Sequence, residues 1–260
     1  MTAARAPLAG LTVLVPRARG QAGDFSALLR ERGAEPLEVP TIEIRPVAAT
    51  ADLDRAVADL AAGRFDWVVL TSVNGVAALR ERVEALGHGP DAVAARARVA
   101  AVGPATEAAL RDWGLAPDLV PEVATTAALG HAFPPGPGTG RVLLARADLA
   151  NPELARLVAA KGWEPVEVVA YHTVPLGALD PAARRRLDRG EVDWVAFTAS
   201  STVEGFLRGY GGPPPPGVRV AAIGPVTAGT ARSAGIRVAA TATDHTIGGL
   251  IAAIEHAVSG

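Results

Sequence analysis

Residues 98–106 read Arg98-Val99-Ala100-Ala101-Val102-Gly103-Pro104-Ala105-Thr106, and they return 121 residues later as Arg219-Val220-Ala221-Ala222-Ile223-Gly224-Pro225-Val226-Thr227, with seven identities in nine positions. Asp66-Trp67-Val68 likewise returns as Asp193-Trp194-Val195, 127 residues on. Residues 13–18 and 33–39 match residues 142–147 and 162–168, both at a spacing of 129. The chain therefore consists of two copies of one unit.

The period of this repeat is that of a domain. About 125 residues is too long for one repeat of a solenoid and matches the size of an ordinary domain. We therefore expect two similar domains with a cleft between them. Such clefts are common places for a ligand to bind.

The composition is that of a globular protein with two cores. Hydrophobic residues make up 49% of the 260 residues and occur in short runs, none of which approaches the roughly 20 residues that cross a bilayer. The first residues include no apolar stretch of secretory type, so we expect the cytoplasm as location. Cysteine is absent, which excludes thiolate nucleophiles, cysteine metal sites and thioether-linked cofactors.

Charge and motifs exclude several further classes of function. The chain has 25 basic and 27 acidic residues, for a net charge of −2, and no basic block that would favour a nucleic acid partner. It has no G-x-x-x-x-G-K loop, no G-x-G-x-x-G after the first strand and no G-x-S-x-G elbow. Its five histidines are scattered without ligand spacing, so we expect no metal site and no cofactor.

Strand and helix patterns alternate from end to end, which is typical of α/β folds with parallel sheets covered on both faces. Strands are predicted at residues 11–15, 36–44, 67–70, 99–102, 142–144, 166–173, 194–197, 218–223 and 236–239. Helices are predicted at residues 24–32, 53–62, 73–86, 106–113, 152–160, 181–187, 202–207, 227–234 and 247–257.

Two segments, residues 36–46 and 165–175, are too long for ordinary strands within a sheet. If the first strand and helix of the first copy complete the sheet of the second copy, the chain crosses between domains twice, and the crossings lie side by side as an antiparallel hinge. This predicts a discontinuous α/β domain of about residues 1–38 and 173–260, and an inserted α/β domain of about residues 45–168.

Four predicted turns from strand to helix carry hydroxyl, amide or glycine residues. In parallel sheets such turns lie together at the carboxyl ends of the strands, where free N–H groups of helix N-termini favour anions. The candidates for substrate binding are Thr71, Ser72, Asn74, Gly103, Thr106, Thr198, Ser200, Ser201, Gly224 and Thr227. The same side chains can serve only as helix caps, so a structural role stays open.

Three larger side chains are further candidates. Arg17 and Arg146 take equivalent positions after the first strand of each copy and can bind a carboxylate through two nitrogens, or act as surface ion-pair partners. Tyr171 is one of two tyrosines and lies on a predicted hinge strand that faces the cleft. A buried structural tyrosine is the rival interpretation.

Six motifs follow one another along nearly the whole chain. They are Leu14-Val15-Pro16-Arg17 with Gln21, Leu70-Thr71-Ser72-Val73-Asn74-Gly75-Val76, Ala101-Val102-Gly103-Pro104-Ala105-Thr106, Val169-Ala170-Tyr171-His172-Thr173 with Pro175, Phe197-Thr198-Ala199-Ser200-Ser201, and Ile223-Gly224-Pro225-Val226-Thr227. In this order and spacing the chain resembles the uroporphyrinogen-III synthase family.

The resemblance implies two flavodoxin-like parallel-sheet domains joined by a two-stranded antiparallel ladder. It also implies a cofactor-free hydro-lyase that closes linear hydroxymethylbilane to uroporphyrinogen III, with ring D inverted and water lost, on the route to haem, cobalamin and sirohaem. By motif position, Tyr171 would be the general acid, and Thr106, Ser200 and Thr227 would line the cleft. A monomer is expected, with the substrate and, transiently, the preceding pathway enzyme as partners, and with neither nucleic acid nor membrane.

Two other classes stay open on the residues alone. A non-catalytic two-domain receptor for a small polyanionic ligand shares the doubled α/β plan, although the missing secretory signal weighs against the periplasmic kind. A two-domain sugar or nucleotide transferase would need a nucleotide-specific loop or acidic metal ligands, and the sequence has neither.

Overall fold

The computed structural model describes residues 6–259, in which strands and helices alternate as the sequence predicts except at residues 35–46, 73–94 and 104–132, where two strands or two helices follow one another. The first half contains β1 (Thr12–Val15), α1 (Gly23–Glu31), β2 (Glu35–Glu38), β3 (Ile42–Pro46), α2 (Ala51–Ala61), β4 (Trp67–Leu70), α3 (Val73–Ala85), α4 (Asp91–Ala94), β5 (Arg98–Ala101), α5 (Pro104–Asp112) and α6 (Thr126–Ala132). The second half contains β6 (Gly140–Ala147), α7 (Glu153–Ala160), β7 (Trp163–Pro175), α8 (Pro181–Asp188), β8 (Trp194–Phe197), α9 (Ser200–Tyr210), β9 (Arg219–Ala222), α10 (Pro225–Ser233), β10 (Ala240–Thr241) and α11 (Ile247–Ser259).

Contacts divide the chain into two compact units. The discontinuous unit comprises Met1–Glu43 and Val174–Gly260, and the continuous unit comprises Ile44–Thr173. The first has the strand order β10-β9-β8-β1-β2, and the second has the order β3-β7-β6-β4-β5. Within the first sheet, and among β4 to β7 of the second, neighbouring strands are parallel.

In the discontinuous unit the central strands are buried on both faces. Val13 and Trp194 pack on one face with side chains of α1 and α11, whereas Leu14 and Val195 pack on the other with α8 and α9. Alternate residues of a strand point to opposite faces, so a strand covered on both sides must be apolar throughout. This is why Val13, Leu14 and Val15 are all apolar in a strand that is buried at every position.

The continuous unit is built in the same way. Val68 and Leu70 of β4 pack with α2, α3 and α5, while Trp67 and Val69 pack with α6 and α7 on the other face. Each large apolar side chain that is fully buried contributes about 1.5–3 kcal/mol.

The repeated Asp-Trp pair performs the same task in both units. The carboxylate of Asp66 accepts the backbone N–H of Arg141 at 2.8 Å, and that of Asp193 accepts the N–H of Thr12 at 2.7 Å. Each tryptophan lies beneath an arginine of a neighbouring strand, with 5.1 Å from Arg98 to the ring of Trp67 and 4.4 Å from Arg219 to that of Trp194. The repeat therefore fixes the amino ends of both sheets.

The single strand predicted at residues 36–44 is wrong. The chain leaves β2 after Glu38 and begins β3 only at Ile42. Pro40 has no N–H to donate to a neighbouring strand, and the side chain of Thr41 forms hydrogen bonds with residues outside both strands. The buried hydroxyl of Thr41 lies 3.0 Å from the carbonyl of Pro16 and 3.3 Å from that of Thr202, both of which accept from it.

The strand predicted at residues 236–239 is also wrong, since β10 comprises only Ala240–Thr241. The N–H of Ile236 donates to the carbonyl of Ala231 at 3.0 Å, so Ile236 belongs to the turn that closes α10 and not to a strand. Two short helices, α4 and α6, were not predicted. The second begins at Thr126, and its N-cap is Thr125, whose hydroxyl accepts the N–H of Ala128 at 3.1 Å.

Candidate active site

Tyr171 owes its position to an irregularity between β6 and β7. The strands pair residue by residue until Arg146 faces Val169, and then Ala147 faces Tyr171, so that Ala170 is skipped. In a regular strand Tyr171 would share a face with Val169, which is 41% exposed. The bulge turns Tyr171 into the core, where it is 7% exposed, and re-aiming a side chain is a common role of such bulges.

The phenol of Tyr171 contacts the turn that joins β4 to α3. Its oxygen lies 2.8 Å from Oγ of Ser72, and the side chain of Asn74 also bonds it. Burial raises the pKa of Tyr171, as does the charge of Asp148, and the hydrogen bonds from Ser72 and Asn74 lower it less. The net pKa is above the ordinary value, so the group is a neutral proton donor at neutral pH.

Ser72 has a structural duty besides this contact. It is the N-cap of α3, and its hydroxyl accepts the N–H of Gly75 at 2.9 Å. A β-carbon on Gly75 would come within 3.2 Å of the carbonyl oxygen of Ala145, so glycine lets α3 approach β6 closely. Thr71, which precedes the cap, is half-buried. Of the predicted site residues, the structure brings Ser72, Asn74 and Tyr171 into contact.

The turn between β5 and α5 leaves its helix uncapped. Gly103 has an extended backbone, Pro104 opens the helix, and no side chain caps it. The first N–H groups of the helix are therefore free of side-chain acceptors, which is the arrangement that binds an anion. Thr106, in the same first turn, is 3% exposed.

The turn between β9 and α10 repeats this arrangement in the discontinuous unit. Gly224 is extended, Pro225 opens the helix, and again no side chain caps it. Thr227 is 5% exposed. The repeated Gly-Pro sequence thus encodes one uncapped helix N-terminus in each unit.

The turn between β8 and α9 is occupied by its own hydrogen bonds. The hydroxyl of Thr202 donates to the carbonyl of Ala199 at 2.7 Å and accepts its N–H at 3.3 Å. Ser200 lies 2.7 Å from the hydroxyl of Thr230, oxygen to oxygen. Thr198 and Ser201 are half-buried. Thr202 and Thr230 were not among the predicted site residues. The signal that the sequence offered was a hydroxyl residue within each of two predicted helices.

The two arginines that the repeat makes equivalent differ in their surroundings. Arg146 is 4% exposed; it donates to the carbonyl of Asn151 at 2.8 Å and pairs with the carboxylate of Glu167. Arg17 is half-buried. Burial lowers its pKa, and the charge of Asp24 opposes that effect. Arg17 is thus better placed than Arg146 to meet an incoming carboxylate.

Two residues near Tyr171 were not among the predicted site residues. The carboxylate of Asp148 lies 2.8 Å from Nδ1 of His172. Burial alone would raise the pKa of Asp148, but hydrogen bonds from His172 and from the backbone hold it below its usual value. The signal in the sequence was position, because Asp148 follows β6 and His172 follows Tyr171.

Comparison with known proteins tests the resemblance. A family model described as "Uroporphyrinogen-III synthase HemD" matches residues 23–252. The chain is 32% identical over 260 residues to a uroporphyrinogen-III synthase of Synechococcus elongatus, covering 97% of each protein. A crystal structure of a mutant uroporphyrinogen III synthase from Thermus thermophilus is 26% identical, with a TM-score of 0.68 over 96% of this chain and 99% of that one.

The chain belongs to the uroporphyrinogen-III synthase family. The resemblance carried by the six motifs is thereby confirmed. A uroporphyrinogen-III synthetase of Helicobacter pylori, 18% identical with a TM-score of 0.60, supports the fold alone.

Within residues 6–259 of this uroporphyrinogen-III synthase family member, three or more His, Asp or Glu side chains nowhere come together as a metal site. Over the same range, each helix is too short or too polar to traverse a lipid bilayer.

Proposed function

We propose that the protein is a uroporphyrinogen-III synthase, a cofactor-free lyase that converts hydroxymethylbilane to uroporphyrinogen III and water. The observation that carries the proposal is the phenol of Tyr171, which is buried, neutral and 2.8 Å from Ser72 at the carboxyl edge of a sheet in a chain of this family. A neutral phenol is a suitable general acid.

The reaction begins with the loss of the hydroxyl group from ring A of the substrate. Tyr171 donates its proton to that oxygen, the carbon–oxygen bond breaks, water leaves, and a delocalised azafulvene cation remains. Ring D attacks this cation through its substituted carbon to give a spiro intermediate. That intermediate fragments and closes again with ring D inverted, and the proton lost at the end returns to the tyrosinate, so atoms and charge balance.

The pyrroles supply the electrons, so the protein's main task is to hold the two ends of the substrate together. The carboxylates of the substrate are proposed to bind the uncapped helix N-termini at Gly103 and Gly224, aided by Thr106 and Thr227. Arg17 is proposed to bind a further carboxylate through its guanidinium. Thr71, Thr198 and Ser201, all half-buried, remain predicted contacts. Ser200 and Arg146 also remain predicted contacts, although each already has partners within its own unit.

We also propose that the two units are flavodoxin-like domains joined by an antiparallel hinge, with the substrate in the cleft between them. Of the predicted hinge segments 36–46 and 165–175, the parts that would form it are β3 and the end of β7, since residues 36–38 pair with β1. The order β10-β9-β8-β1-β2 supports this, because counted along its own unit it is the 2-1-3-4-5 order of that fold. The neighbouring position of β3 and β7 in the second sheet supports the hinge. We further propose that the protein is a monomer located in the cytoplasm.

The test is incubation with freshly prepared hydroxymethylbilane, followed by oxidation and separation of the uroporphyrin isomers. The enzyme should give mainly the type III isomer in the presence of a chelator and without nucleotide, whereas uncatalysed closure gives type I. If only type I forms, the assignment is wrong, and tight binding of the bilane in the same sample would favour the receptor instead.

A further inference from the structure

β7 extends beyond the end of its neighbour β6 in the sheet. β6 stops at Ala147, which faces Tyr171, while β7 continues to Pro175. Residues 172 and 173 therefore have no partner in β6. β3 lies along the other edge of β7, so the edge that faced β6 is the one that needs a partner beyond Tyr171.

Asp148 provides that support to three successive residues. Its backbone N–H donates to the carbonyl of Tyr171 at 3.3 Å. One carboxylate oxygen accepts the N–H of Thr173, also at 3.3 Å, and the other lies 2.8 Å from Nδ1 of His172. The first oxygen in addition accepts the N–H of Leu149 at 3.1 Å, so the loop after β6 is fixed by the same group.

We infer that Asp148 is a positioning residue for Tyr171. It fixes the strand end on which the bulge depends, and so holds the phenol against Ser72 in the orientation of a proton donor. Asp148 is an exposed residue, so water competes for each bond, and the combination of several bonds from one side chain fixes the strand end. The inference rests on the proposed function, since it assigns Asp148 to the same reaction, but its structural part can be tested without substrate.

One oxygen of Asp148 accepts two backbone N–H groups and the other contacts His172, so two matched variants can separate these bonds. Asp148→Asn keeps an oxygen for the two backbone N–H groups and offers an NH₂ group to Nδ1 of His172, while it removes the charge. Asp148→Ala removes every side-chain bond. A positioning role therefore predicts that the asparagine variant behaves like the parent and the alanine variant does not.

Tyrosine content gives a direct readout of the phenol. The chain has two tyrosines, and Tyr210 lies in α9, with its hydroxyl donating to Asp188 at 2.8 Å. In a Tyr210→Phe background, protein labelled with ¹³C at the tyrosine ζ carbon should give one resonance, that of Tyr171. The background should keep the parent's activity, because Tyr210 belongs to no part of the proposed site.

Asp148→Ala should shift this resonance and lower kcat roughly 10-fold to 100-fold, with KM changed less than about threefold, because a misplaced acid affects the chemical step rather than binding. Asp148→Asn should restore the resonance and bring kcat within about threefold of the parent. If the alanine variant leaves both unchanged, or if the asparagine variant fails as the alanine variant does, the inference is overturned.

Two further results keep the test decisive. If Asp148→Ala does not fold, His172→Ala, which removes one of the bonds, takes its place, and an unshifted Tyr171 resonance in that variant overturns the inference. If the parent converts no hydroxymethylbilane, the proposed function fails, while the resonance still reports whether Asp148 positions the phenol.

Discussion

Gly103 is required by packing rather than by backbone conformation, and replacing it with alanine tests the uncapped turn before α5. Its φ of 174° and ψ of −176° are open to any residue. A β-carbon at this position, however, would lie 2.5 Å from the β-carbon of Ala124. Carbon atoms in contact prefer about 3.5–4.0 Å, so one side must move by roughly 1 Å.

The equivalent glycine gives a matched comparison. A β-carbon on Gly224 would meet the ring of His245 at 3.1 Å, a smaller overlap with a side chain that is half-buried and can turn. Overpacking of a filled site costs about 1–3 kcal/mol. We therefore expect Gly103→Ala to lower the free energy of unfolding by about 2 kcal/mol, and Gly224→Ala to lower it by less than about 1 kcal/mol.

A double-mutant cycle identifies the cause. In Ala124→Gly the nearest remaining atom would be the α-carbon of residue 124, at 3.4 Å from the new β-carbon, which is ordinary contact. The double variant should therefore recover stability, with a coupling of at least about 1 kcal/mol by urea unfolding. The displaced turn of Gly103→Ala should also raise KM more than it lowers kcat, because this turn is proposed to bind a carboxylate.

The packing argument would be refuted by an additive cycle, in which Gly103→Ala costs as much with glycine at position 124 as with alanine. A fall in kcat at constant KM would instead contradict the proposed binding role of the turn. Gly229→Ala serves as a control for the same exchange without steric overlap. It lies within α10 with open space around it, and should be stabilising by about 0.5–1 kcal/mol.

Three further predictions concern single side chains. Tyr171→Phe should keep the fold and lower kcat by about 10²-fold. In the folded protein the pKa of Tyr171 is raised above 10.0, so the stability that its bound proton provides is complete below the pKa of the unfolded state and is lost as pH rises through the pKa of the folded state. The variant should therefore lose less stability than the parent in alkaline unfolding curves. Thr227→Ala should cost about 1.5–3 kcal/mol of transition-state binding, one or two decades in kcat/KM, if its hydroxyl binds a carboxylate, and an unchanged kcat/KM would exclude that bond. Arg17→Gln should raise KM without changing the melting temperature, whereas Arg146→Gln should lower the melting temperature because Arg146 loses its partners Glu167 and Asn151; equal behaviour of the two variants would contradict their different surroundings.

The sequence predicts the central strands of this fold because they are buried on both faces and are therefore largely apolar. β4 and β8 were predicted with their observed ends. The break between β2 and β3 was not predicted, because the apolar pattern runs through it and the break depends on where the hydroxyl of Thr41 finds its acceptors. Such tertiary contacts leave no periodic signal.

The site was predictable to the extent that it is local. Ser72 and the Gly-Pro turns are read from their own neighbours in the chain. The burial of Tyr171 depends on a shift of register against β6, and the role of Arg146 depends on Glu167 of β7. Both contacts join residues of different strands, so the equivalence of Arg17 and Arg146 in the repeat did not extend to their partners.

The discontinuous unit has a consequence for how the chain folds during synthesis. β1 pairs with β8, and Val13 faces Trp194, so this contact spans about 180 residues of sequence. At roughly 5–20 residues per second, β1 waits on the order of 10–35 seconds on the ribosome before its neighbour is made. The intervening 130-residue continuous unit can complete its own sheet in that time. An apolar strand such as Thr12–Val15 is meanwhile without the partner that covers its edge, and we expect this interval to be when nascent chains most need a chaperone and are most prone to aggregate.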